Sequence, residues 1–144
     1  MINRNLLLAV SFVIATGCSS SGPEPSHLSG KVTFKGQPVP AGYISFEPDL
    51  TVGGQIKVLQ IKDGVFDSAK EVPSPESEPG LRPGTYQIRI AGFDGKRIPF
   101  FGQGKQIFNE LEDTYTVPAG QSTHDFVVPE SAGENVKIQR TADT

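Results

Sequence analysis

The sequence predicts an all-β fold, a single antiparallel seven- to eight-strand β-sandwich over residues 27–141. Three observations carry this. Apolar residues recur at period 2 rather than 3.6 from His27 onward. The 16 glycines and 12 prolines among 144 residues fall between those alternating runs, where they act as punctuation. No Gly-capped amphipathic stretch of ordinary helix length occurs anywhere.

The strands follow in order. In residues 30–36, Val32 and Phe34 share one face while Lys31, Thr33 and Lys35 share the other, the pattern of a half-buried strand. Residues 36–42 form a turn by composition, and 43–47 alternate again with Ile44 and Phe46 inward. Residues 55–62 offer Ile56, Val58 and Ile61 as inward positions, and Asp63-Gly64 then turns the chain tightly into Val65-Phe66. The stretch 69–83 holds four prolines and reads as a long loop. Residues 84–91 form the cleanest strand, with Tyr86, Ile88 and Ile90 on one side. Residues 114–117, 123–128 and 135–139 supply three more short strands, and 107–112 is the one place where a helical turn is expected. Such regularly spaced short strands argue for a sandwich.

The N-terminus reads differently. Residues 6–16 are an apolar run of signal-peptide length, too short for a bilayer core of about 30 Å. The run ends in Ala15-Thr16-Gly17-Cys18, and Ser19-Ser20-Ser21-Gly22-Pro23-Glu24-Pro25 follows. This resembles the lipobox of bacterial lipoproteins, with weaker agreement at Ala15, where the family usually places Leu. The resemblance implies residues 1–17 as a cleaved signal peptide, Cys18 as an acylated mature N-terminus, and 18–26 as a flexible tether. It also implies export and attachment to the cell envelope. The outer membrane, on its periplasmic or surface face, is favoured because Ser19 is not the retention aspartate. Loss of Arg4 with the leader takes the formal charge from −3 to −4. Charge alone does not hold such a chain to an anionic surface, so the lipid must. The acidic balance also supplies no footprint for nucleic acid, and one cysteine permits neither an intrachain disulfide nor a cysteine-built zinc site.

The order of motifs from Ser29-Gly30-Lys31-Val32 to Gln37-Pro38-Val39-Pro40-Ala41-Gly42, then Asp63-Gly64-Val65-Phe66, then Arg82-Pro83-Gly84-Thr85-Tyr86, resembles the transthyretin-like, carboxypeptidase-regulatory-like sandwich. It is closest to the form in small planctomycete-type lipoproteins. The resemblance spans residues 28–92 and, more loosely, 105–129. It implies architecture rather than chemistry.

Candidate chemistry is sparse. Hydroxyisourate hydrolysis, known among transthyretin-like relatives, needs a histidine set and a C-terminal Tyr-Arg-Gly-Ser, whereas this chain has two histidines and ends Arg140-Thr141-Ala142-Asp143-Thr144, with 142–144 read as a tail. Ser122, His124 and Asp125 are too close along one strand to align as a triad, and His124 is expected to face solvent. Asp63, Asp67, Glu47 and Asp49 lack calcium-loop spacing and read as turn residues. A Lys31 or Lys35 isopeptide to Asn135 is a further minor option. No cofactor or metal is expected, and no catalysis.

The segment 92–104 resists any strand pattern. It carries Phe93, Lys96, Arg97, Phe100 and Phe101 between glycines. Either Phe100 and Phe101 fold back to cap one end of the sandwich, or the loop is exposed and docks a partner. The expected function is a lipid-anchored envelope module with a structural or protein-interaction role. The alternative is a carbohydrate- or peptide-binding accessory lipoprotein working through residues 93–101, with an envelope protein or glycan as partner.

Overall fold

The computed structural model describes residues 24–70, 79–96 and 102–136. Cys18, Arg97, Phe100 and Phe101 lie outside the described residues. Nine strands form one sheet, curled into a half-barrel: β1 His27–Phe34, β2 Gln37–Pro38, β3 Ala41–Pro48, β4 Lys57–Lys62, β5 Val65–Asp67, β6 Gly84–Phe93, β7 Leu111–Val117, β8 Gln121–Thr123 and β9 Phe126–Val128. The hydrogen-bonded order is β2-β1-β5-β4-β3-β6-β7, with β8 and β9 also on β1. The all-β expectation therefore holds. The sheet is antiparallel except where β8 and β9 run parallel to β1.

Alternation produces the core. Leu28 and Val32 of β1, Ile44 and Phe46 of β3, Leu59 and Ile61 of β4, Phe66 of β5, and Tyr86, Ile88 and Ile90 of β6 point inward and are buried. Val117, Phe126 and Val128 join them from the C-terminal strands. Burying an aliphatic or aromatic side chain contributes about 1.5–3 kcal/mol, so this common face dominates the stability. Tyr86 is anchored at its wet end too, because its hydroxyl donates to the Arg82 carbonyl at 2.9 Å.

Three sequence expectations are corrected. Ile56 and Val58 are 56% and 53% exposed, while Leu59 and Ile61 are buried. The left-handed Asp63-Gly64 turn (φ 51° and 76°) pairs Lys62 with Val65, and β3 pairs Ile44 with Leu59, which places the even-numbered residues of β4 outward. Residues 107–112 contain no helical turn. Phe108 is instead fully buried, its ring 5.1 Å from that of Phe34, and β7 begins at Leu111. Residues 123–128 are not one continuous strand, since the ladder breaks at His124-Asp125. There the His124 amide donates to the Ser29 carbonyl at 2.9 Å, and the Asp125 carboxylate accepts the Lys31 amide at 2.8 Å. Asn135 and Val136 are irregular, and the rest of the expected last strand lies outside the described residues.

Strand directions sort the connections into two ends. One end holds the N-terminal Ser26, which pairs with Leu81, together with the connection 49–56 and the turn 118–120, whose Gly120 carbonyl accepts the His27 amide. The other end holds the turns at 35–36 and 63–64, residues 94–96 and 102–106, and the 3-10 turn Glu130–Gly133. An eight-residue strand separates these ends by about 26 Å.

The break at His124 has a strict steric requirement. A Cβ at Gly30 would collide with the His124 carbonyl. Gly30→Ala should therefore destabilise the fold by about 3 kcal/mol, the upper range for overpacking. Gly102→Ala, where a Cβ meets open space, should leave the denaturant midpoint within experimental scatter. Equal midpoints for the two variants would contradict the close approach.

Candidate binding loop

The loop begins where β6 ends. Phe93 bridges to Gln106, and beyond it the Asp94 amide donates to the Lys105 carbonyl at 2.9 Å and the Gly95 amide to the Gln103 carbonyl at 3.1 Å. On the return side the Ile107 amide donates to the Gly92 carbonyl at 3.0 Å. The base of the segment is thus a short two-stranded stem that continues β6.

Asp94 locks that stem. Its Oδ1 accepts the amides of Lys96 and Lys105, both at 3.0 Å, tying the outgoing and returning chains to one carboxylate. The Lys96 amide holds the Asp94 carboxyl below the usual carboxylate range, and Lys105 adds to the effect. Gly104 sits against the same oxygen, at φ 92°, where a Cβ would strike it. Residues 93–96 and 102–106 are therefore a preformed stem.

Of the sequence-predicted loop residues, Phe93 is half-buried, its ring tilted against Tyr43 at 6.2 Å, and Lys96 is exposed. The structure brings these two to the same stem. At this end Phe108 packs on Phe34 and against Gly92; the capping reading of Phe100 and Phe101 falls outside the described residues. Two contributors were passed over in the sequence: Asp94, whose signal was the Asp94-Gly95 dipeptide, and Phe108, hidden in an expected helical turn.

Beside the stem lies a charged strip on the outer face of β3, β6 and β7. Arg89 stands within 3.3 Å of Glu112, 3.8 Å of Glu47 and 3.9 Å of Glu110. Burial raises the Tyr43 hydroxyl above its ordinary value, and the adjacent Glu110 carboxylate, which accepts its hydrogen bond, adds to the shift. These pairs are exposed, so each contributes little to stability and they serve mainly to set cross-strand register.

Elsewhere the polar residues serve the fold. His124 is half-buried rather than solvent-facing, stacked on Tyr115 at 4.4 Å and edge-on to Phe126 at 4.7 Å. Asp125 is held by the Lys31 amide, which leaves no Ser122–His124–Asp125 alignment. Asp49 accepts from Thr51 and Val52, and Asp67 accepts the Ala69 amide and pairs with Lys70 at 3.3 Å. Lys35 lies over the Phe34 ring. Among the described residues, no group of three or more His, Cys, Asp or Glu is placed to hold a metal ion. An open groove of about 670 Å³ lies where β5 leaves β4 after one residue pair to join β1. Its described lining contains no histidine, serine, threonine or cysteine.

The lowered Asp94 carboxyl sets a pH dependence for the stem. A depressed folded-state pKa stabilises above the unfolded value of 3.8 and loses that contribution as pH falls through the folded value. The Lys96 and Lys105 amides should therefore exchange with bulk water at an unchanged protection factor from pH 8 to 5 and lose protection below pH 3.8. Asp94→Ala should show the unprotected behaviour at every pH. Protection retained in that variant would mean the carboxylate is not the clamp.

A search with this chain finds no matching family model, no matching curated protein and no matching solved structure.

Proposed function

We propose that this protein is an exported, lipid-anchored cell-envelope module with a structural or protein-interaction role and no catalysis. In this reading its curled sheet closes as a transthyretin-like sandwich of the planctomycete-lipoprotein kind. Cys18 carries the acyl chains, and residues 19–26 tether the domain to the membrane. More than one chain makes such attachment stable where a single one is marginal.

The observation that supports the reading is the separation of the two ends. The chain enters the domain at Ser26, while the Asp94-clamped stem lies at the far ends of β3 and β6. A domain hung from Cys18 by that end presents the stem away from the bilayer, where envelope partners are met.

Mass spectrometry of the membrane-extracted protein tests the anchor. The expected N-terminus is Cys18 with added acyl mass, and Cys18→Ser should move the domain to the soluble fraction. An unmodified N-terminus at another residue overturns the assignment.

The preformed stem favours a second reading, an accessory protein that binds a glycan or peptide through residues 93–101. Basic and aromatic side chains are the types that dominate binding energy in small contacts. The double variant Lys96→Ala, Phe101→Ala should then lower cosedimentation with purified peptidoglycan by about tenfold or more, the scale of a single binding hot spot. Unchanged cosedimentation would leave the structural reading.

A further inference from the structure

The connection between β3 and β4, residues 49–56, presents an apolar tip that the core does not use. Leu50 is fully exposed, with a relative accessibility of 103%, and Ile56 is 56% exposed on the same connection. A single exposed leucine is ordinary on a protein surface. This one is held out by a built turn. The Asp49 carboxylate accepts the Thr51 amide at 2.9 Å, the Thr51 hydroxyl at 2.6 Å and the Val52 amide at 3.0 Å. The Gly53 amide closes the turn on the Asp49 carbonyl at 3.1 Å. Val52 packs inward on the core, against Gly84, and the Asp49 amide donates to the Thr85 carbonyl. The turn is thereby fastened to β6 on one side, leaving Leu50 at its apex.

Its position in the fold names the surface it meets. The connection lies at the end of the sheet where the chain enters at Ser26. Cys18 lies six positions before Glu24, so even a fully extended chain reaches only about 22 Å. That leash is shorter than the length of a strand across the domain. An anchored Cys18 therefore keeps this end, and not the opposite one, near the bilayer.

We propose that the 49–56 connection is a second membrane contact, with Leu50 inserted at the lipid interface and Ile56 beside it, orienting the domain with the stem of residues 93–96 and 102–106 pointing outward. The proposal rests on acylation of Cys18. Lys57, Lys70 and Arg82 at this end are outnumbered by Glu24, Glu47, Asp49 and Asp67, so no net positive charge draws it to the membrane and the contact is apolar. It requires no anionic lipid and persists at high salt.

The chain contains no tryptophan, so one introduced residue reports its own surroundings. Ile56→Trp and Gln103→Trp, at opposite ends, are compared in the full-length acylated protein on vesicles of neutral phosphatidylcholine. The expected result is a blue-shifted emission for Ile56→Trp, quenched by lipid brominated in its acyl chains and unchanged by salt. Gln103→Trp should emit as it does in detergent-free solution. Adding Leu50→Asp to Ile56→Trp should abolish both the shift and the quenching while the protein stays on the vesicles. Solution-like emission from Ile56→Trp on vesicle-bound protein overturns the contact and leaves the anchor standing. If the protein's mass shows Cys18 without lipid, the anchor falls instead. The same emission measurement, on the domain coupled through its Cys18 thiol to a maleimide-headgroup lipid, then decides the contact alone: a quenched, shifted Trp supports it and an unshifted Trp overturns it.

Discussion

The main chain of β1 is the constraint on which the rest of this structure depends. Its first half is hydrogen-bonded to β5 on one edge and β8 on the other, and its second half to β2 and β9. Four strands thus meet on the eight residues of β1. Such crowding is possible because Gly30 has no side chain where the His124 carbonyl presses in, and because the Asp125 carboxylate accepts the Lys31 amide that the broken ladder leaves over. The bond is exposed, so it contributes on the scale of an ordinary hydrogen bond, about 0.5–1.5 kcal/mol, and its main effect is to fix the chain where the ladder breaks.

From that hub the sheet runs outward through β5, β4, β3 and β6 to β7, then the chain turns at 118–120 and returns to β1 as β8 and β9. The two extremes of the path face each other through side chains rather than hydrogen bonds: Tyr115 of β7 stacks on His124 and meets Phe126 edge-on. Aromatic pairs of this kind add about 0.5–1.5 kcal/mol beyond the area they bury. The seam explains why a histidine expected in solvent is half-buried, and it gives that residue a packing role.

The same topology divides the protein's surface into two ends with different equipment. Both ends are organised by an aspartate that gathers neighbouring amides: Asp49 at the end where the chain enters and Asp94 at the other. Both carboxyls are held below the ordinary range, Asp49 chiefly by the Thr51 hydroxyl and Asp94 chiefly by the Lys96 amide. Asp49 fixes a turn with Leu50 exposed at its apex, and Asp94 fixes the stem of residues 93–96 and 102–106. A rigid loop loses less conformational entropy on meeting a partner, which is why presentation by a clamped turn favours recognition over simple chain connection.

Much of this was legible in the residues. The inward positions of β1, β3 and β6 follow from period 2 alone, as does the Asp63-Gly64 hairpin, because side-chain alternation and a left-handed turn are local properties. The lipobox-like Cys18 and the aromatic-basic segment at 93–101 were likewise visible as patterns. What alternation could not decide was which of two apolar sets in 55–62 faces inward, since Ile56 and Val58 are as hydrophobic as Leu59 and Ile61. Pairing with β3 made that choice. Nor could local pattern reveal that residues 123–128 break to fit Gly30, that Phe108 closes one end, or that entry point and loop lie at opposite ends. Those depend on contacts between residues as much as ninety positions apart, such as Lys31 with Asp125. The sequence by itself determined an all-β chain, the inward faces of β1, β3 and β6 and the Asp63-Gly64 turn; only the tertiary structure decided the inward face of β4, register, strand order and which loops share an end, because these are properties of pairing and not of any one segment.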